Sequence, residues 1–170
     1  MAMVCAGGGE KLPRSEGVER LAARLRSGEL FTATLCGARI EAAGEVVIAR
    51  DAGRIAPGMR ELAAGGETVW DGRFLVSADR PCRIGPLRGW AAALPPVERR
   101  ALKAVPVAAR AALAAFHDGQ AVTCPILAHG SWAGARSLVF ERLWGACGRI
   151  AREADVARGA DSGWTSGALS

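Results

Sequence analysis

The dipeptide Asp71-Gly72, set between the apolar runs ETVW and FLV, constrains this chain more than any other feature. Both residues tolerate positive φ, so two strand-like runs on either side of them predict a tight two-residue hairpin. In that register Trp70 and Arg73 face each other across the ladder. One reading of the pair is structural: the guanidinium covers the indole face, worth about 0.5–1 kcal/mol at an exposed site. The other has Trp70 stacking on a base and Arg73 meeting a phosphate. The residues favour the structural role.

The flanking segments predict an α+β chain. Val18, Leu21, Ala22 and Leu25 fall at i, i+3, i+4 and i+7, one face of an amphipathic helix that stops at Gly28. From Phe31 the period shortens, and Thr32–Leu35, Ala38–Ala42 and Glu45–Arg50 read as strands separated by glycines. RIAPGMRELAAGGE reads as a loop. Beyond the hairpin, Pro81 and Pro86 lead into LRGWAAAL, VERRALKAV reads as short helical turns, and Pro106 opens an Ala-rich helix, PVAARAALAAF. QAVTCPILA reads as a strand whose Pro125 marks it as an edge, and LVFERLWGACG is the last apolar segment. The expected organisation is therefore a helical segment over 1–30, an antiparallel, strand-rich α+β unit over 31–150 with a helical patch and a late edge strand, and a flexible Gly/Ser-rich tail over 151–170.

The formal charge of +5 suits an anionic partner, nucleic acid above all. Twenty of the 22 basic residues are Arg, however, which a GC-rich genome would also produce. Location is more telling. Residues 31–90 carry eight basic and seven acidic side chains, whereas 91–150 carry seven and three, with Arg99, Arg100, Lys103 and Arg110 close together. A solvated helix face is the plainer account of such a run.

Catalytic signatures are sparse. Gly7-Gly8-Gly9 lacks the Lys-Ser/Thr of a phosphate-binding loop. The five cysteines are widely spaced and contain no CxxC pair, so free thiols are expected and neither a zinc site nor a disulfide framework. His117 and His129 lack an evident nucleophile, a Cys124–His129 pairing across Pro125 being the one conceivable arrangement. No apolar run approaches the roughly 20 residues of a membrane helix, and the N-terminus lacks the pattern of a secretory signal, so a cytoplasmic chain without membrane attachment is expected.

The order of segments GGGEKLPRSEGVERLAARL, TATLCGARIEAAGEVVIARDAGRI, GETVWDGRFLV and AFHDGQAVTCPILAHGSW resembles the C-terminal half of tRNA(Ile)-lysidine synthetase of the alphaproteobacterial type, over roughly residues 7–150. WDGRF is its most specific piece, and the stretch Cys124–Gly130 departs from the pattern. The resemblance implies a family that uses ATP, with Mg2+, to activate the wobble cytidine of the isoleucine tRNA's CAU anticodon and join lysine to it. The ATP loop of that family is not found here, so a part that holds tRNA beside a catalytic domain, inactive alone, is implied. Arg73, Arg99, Arg100, Lys103 and Arg110 become candidate phosphate contacts. The rival expectation is an interaction domain that packs on a catalytic domain with little RNA contact, which would leave an apolar outer face on the helix at 18–27.

Overall fold

The computed structural model describes residues 2–9, 12–128 and 132–146. The expected tail at 151–170 lies outside them, as does His129. The fold is α+β, and every strand pairing in it is antiparallel.

After a short helix α1 (Ala2–Ala6), α2 (Ser15–Arg26) lies against a meander of β1 (Phe31–Leu35), β2 (Ala38–Ala43) and β3 (Glu45–Arg50). Leu21 of α2 is buried with Phe31, Ile40 and Ala42 in a small core. The outer face of α2 bears Glu16, Glu19, Arg20 and Arg26, together with one exposed apolar side chain, Leu25, at 37%. The solvent face of the helix is thus mostly charged.

The rest of the chain builds two facing sheets from β4 (Arg60–Leu62), β5 (Gly66–Trp70), β6 (Phe74–Ala78), β7 (Cys82–Pro86), β8 (Ala114–His117), β9 (Val122–Thr123) and β10 (Ala133–Ser137). One sheet has the order β10-β6-β5 and the other β4-β7-β8-β9. The main core lies between them and gathers Trp70, Phe74, Val76, Ile84, Phe116 and Trp132. Two short helices, α3 (Pro96–Leu102) and α4 (Val107–Arg110), connect β7 to β8, and α5 (Val139–Ala146) follows β10.

β8 departs from expectation. Of the Ala-rich stretch read as helix, Val107–Arg110 is helical, but its end joins the strand Ala114–His117, buried on both faces: Ala112, Ala114, Ala115 and Phe116 are at most 1% exposed. Between two packed layers only small side chains fit, and that requirement outweighs alanine's helix propensity. β4, read as loop, pairs with β7, a stretch the sequence left unassigned, and β7 pairs in turn with β8. β9 is an edge strand as expected, and Pro125 lies two residues beyond its end.

The hairpin forms where expected, with a register one residue longer. Asp71 (φ 50°) and Gly72 (φ 64°) occupy the turn, closed by the Arg73 amide donating to the Trp70 carbonyl at 3.2 Å. Trp70, however, pairs with Phe74, so Arg73 is an extra residue and not the partner of Trp70. Its side chain turns inward, 6% exposed, with the guanidinium 4.8 Å from the Phe74 ring centroid and 5.9 Å from that of Trp70.

Four segments meet at this turn. Arg50, closing β3, makes a two-pronged bond to the Asp71 carboxylate at 2.9 and 3.0 Å and donates also to the carbonyls of Gly37 and Arg54. Arg73 donates to Asp71 at 2.8 Å and to the Ala112 carbonyl at 2.5 Å. Arg142 of α5 donates to the carbonyls of Gly72 and Gly9. A Cβ at Gly8 would fall on the Asp71 carbonyl, and one at Gly72 would stand 2.5 Å from the Gly8 oxygen. The glycine run at 7–9 is therefore a close backbone contact. Its amides donate to the carbonyls of Met3, Cys5 and Val4, so they are not available to cradle a phosphate.

Among the described residues Asp71 is the sole carboxylate paired with the two guanidiniums in this knot, and removing one partner of a buried pair is costly. Asp71→Asn keeps a residue that accepts positive φ but removes the charge. We expect a loss of about 3 kcal/mol in urea unfolding; an unchanged midpoint would show that the knot contributes nothing.

Candidate nucleic-acid interface

The helix α3 begins on Pro96 and exposes one face while burying the other. Leu102 joins a second core with Leu87, Leu94, Ala115, Val122 and Cys124. Glu98, 4% exposed, turns the same way: its carboxylate accepts from the Thr123 hydroxyl and from the Cys124 amide at 2.7 Å. A carboxylate taken from water needs such donors. Here they lock the helix to β9 and set its rotation, leaving Arg99, Arg100 and the capping Lys103 exposed. These three make no ion pair among the described residues. Their place at the C-terminal end also suits the helix dipole.

The other two sequence candidates stand apart. Arg110 is half-buried, and its guanidinium donates to the carbonyls of Val105 at 2.8 Å and Lys103 at 3.0 Å. It ties α4 to the end of α3 and so fixes the backbone that carries Lys103. Arg73 is held in the knot by Asp71 and Ala112, with little surface to offer. Burial pushes its guanidinium below the usual range, with the Asp71 charge opposing. The structure thus brings Arg99, Arg100 and Lys103 together and assigns Arg73 and Arg110 to support.

Cys124 is no nucleophile. It is fully buried, and burial together with the Glu98 charge pushes its thiol up to about 12. Among the described residues no three His, Cys, Asp or Glu side chains gather as metal ligands, and no helix is long and apolar enough to cross a membrane.

A second group of polar residues was hidden in the segments read as loop and helix. Glu61 of β4, Arg83 of β7 and His117 of β8 are directly paired across adjacent strands, so they share one sheet face. They line a cleft of about 610 Å³, and Trp90 meets His117 with ring centroids 5.0 Å apart. The turn below is ordered by Asp118, whose carboxylate accepts the amides of Ala121 and Gln120 and is held by them below the usual range.

These features define an α+β unit with one basic helix face and a cleft lined by Glu61, Arg83 and His117. The chain is 42% identical over 164 residues to the tRNA(Ile)-lysidine synthase of Caulobacter vibrioides, a match that covers 89% of this chain and 40% of that protein. The resemblance read from the order of segments is thereby borne out. No family model and no solved structure matches the chain.

Two outcomes are expected. Glu98→Ala leaves the Thr123 hydroxyl and the Cys124 amide buried without an acceptor and should cost about 2 kcal/mol or more, whereas Arg99→Ala should stay within about 0.5 kcal/mol of the parent in the same urea titration. The raised Cys124 pKa makes folding stability complete below the thiol's unfolded value of about 8.5. Between there and about 12 the unfolded chain loses a proton that the folded one keeps, so stability should fall as pH rises. Cys124→Ala should reduce that slope; an identical slope would remove Cys124 as its source.

Proposed function

We propose that this chain is the tRNA-holding part of a tRNA(Ile)-lysidine synthase, acting beside the domain in which ATP and Mg2+ activate the wobble cytidine of the isoleucine tRNA and lysine is joined to it. The observation that carries this reading is α3: three cations held outward by a buried glutamate, in a chain similar to an enzyme named for that tRNA. Arg99, Arg100 and Lys103 meet phosphates and so orient the tRNA without reading its sequence. Arg110 and Arg73 support them from within. On this reading the chain works in the cytoplasm, and the described residues hold substrate without performing the chemistry.

A second reading has one observation in its favour. Phe140 and Trp144, one turn apart on α5, are 65% and 54% exposed, a pair suited to packing on another domain. Holding tRNA and packing on a catalytic domain are compatible, because α3 and α5 use different surfaces.

The test is binding of the chain to isoleucine tRNA and to an unrelated tRNA at two salt concentrations. We expect affinity that falls with salt. Reversing Arg99, Arg100 and Lys103 to Glu should reduce the slope by about two to three, roughly 0.7–0.9 for each phosphate no longer neutralised. Equal binding of both tRNAs fits contacts to phosphate alone. No binding at low salt would overturn the reading and leave the packing role.

A further inference from the structure

The two faces of the β4-β7-β8-β9 sheet are treated differently. One, with Leu62, Cys82, Ile84 and Phe116, is closed by the hairpin sheet. The other carries Glu61, Arg83, Ala115, His117 and Val122, since these residues alternate along their strands and pair across them. Helix α3 and the segment before it cover only the Ala115–Val122 part, through Leu87, Leu94 and Leu102. The row Glu61–Arg83–His117 lines the cleft together with the 117–119 turn, and Trp90, beyond that lining, meets His117 with ring centroids 5.0 Å apart and ring planes at 60°.

We propose that this cleft holds one unstacked nucleotide of single-stranded RNA, its base against Trp90 and His117 and its phosphate at Arg83; the proposal rests on the RNA-holding reading above and extends it to a second site. Trp90 is 36% exposed, although a buried tryptophan would contribute more to stability, and its ring neighbour is His117, tilted at 60° to it. Such a pair stacks on a base irrespective of its identity. Arg83, which lines the cleft, is exposed and forms no ion pair among the described residues. The Glu61 carboxylate supplies an acceptor that an exocyclic amine of a base would satisfy. His117 Nδ1 accepts from the Gly119 amide at 3.1 Å, which fixes the ring and leaves Nε2 as the other polar edge. The volume falls within the range of small-ligand sites. Trp90 also leads directly through the turn Ala91–Ala93 and Leu94 into α3, so an RNA strand bound along the basic helix face reaches the cleft without leaving this side of the sheet.

The test uses hexa-adenylate RNA and intact isoleucine tRNA, with tryptophan fluorescence and calorimetry as readouts. Trp90→Ala should weaken hexa-adenylate binding about tenfold, the loss expected for one base stack, without changing the salt slope. Trp90→Phe should restore most of it, and Arg83→Gln should lower the salt slope by about one. A urea midpoint for each variant separates weakened binding from unfolding. If hexa-adenylate does not bind, or binds Trp90→Ala as tightly as the parent, the nucleotide site is overturned and Trp90 becomes a contact for protein. That result leaves the α3 reading intact as long as charge reversal there still weakens tRNA binding. Conversely, loss of hexa-adenylate binding in Trp90→Ala, combined with no effect of reversing α3, would support the cleft while removing the helix as the phosphate contact.

Discussion

The carboxylate of Asp71 is the point on which the arrangement of the whole chain depends. It accepts from Arg50 at the end of the first meander and from Arg73 beside it. Through the Arg73 guanidinium it reaches the Ala112 carbonyl just before β8. Two cations against one anion would be unfavourable with so little solvent, but the remaining donors are taken up by the carbonyls of Gly37, Arg54 and Ala112. The ionic contact therefore fixes position more than it adds stability. It sets the meander, the hairpin and the strand β8 at defined places relative to each other, and the glycines at 8 and 72 let the N-terminal loop join them backbone to backbone.

From β8 outward, position becomes presentation. β8 is packed on both faces, so the segments that lie on it have little freedom. Glu98 converts that rigidity into a direction: with its carboxylate bound to Thr123 and Cys124, the next two residues must face solvent. Arg110 does the same for Lys103 through the backbone. The cations exposed on α3 are thus held by buried polar groups beneath them, the arrangement by which a surface charge is placed instead of merely being present.

Much of this was legible in the sequence, and the failures share a cause. Glycine punctuation and the change of period located α2 and β1 to β3, and the Asp-Gly pair located the hairpin. β4, β7 and β8 were missed because their residues carry weak or contrary local preference; Ala114 and Ala115 are strand residues only because two layers close on them. The basic run at 99–103 was legible from charge, yet its two flanking candidates were not separable from it, since an arginine that binds carbonyls and one that faces solvent are the same letter. Arg73 shows how small the decisive difference is. A two-residue turn would have placed it across from Trp70; the one-residue-longer register moved it inward to Asp71.

That shift separates resemblance from role. WDGRF is the most specific piece of the resemblance read from the sequence, and its side chains work as architecture: Trp70 and Phe74 in the main core, Asp71 and Arg73 in the ionic knot, Gly72 in a contact that excludes a Cβ. Each has several partners at once, so each tolerates little change. The exposed cations of α3, by contrast, need only an outward direction and a charge, and many sequences satisfy that on the same scaffold. A motif that identifies such a chain therefore need not mark where it binds. The binding surface is better sought where a buried polar group, here Glu98, orients cations that form no ion pair among the described residues.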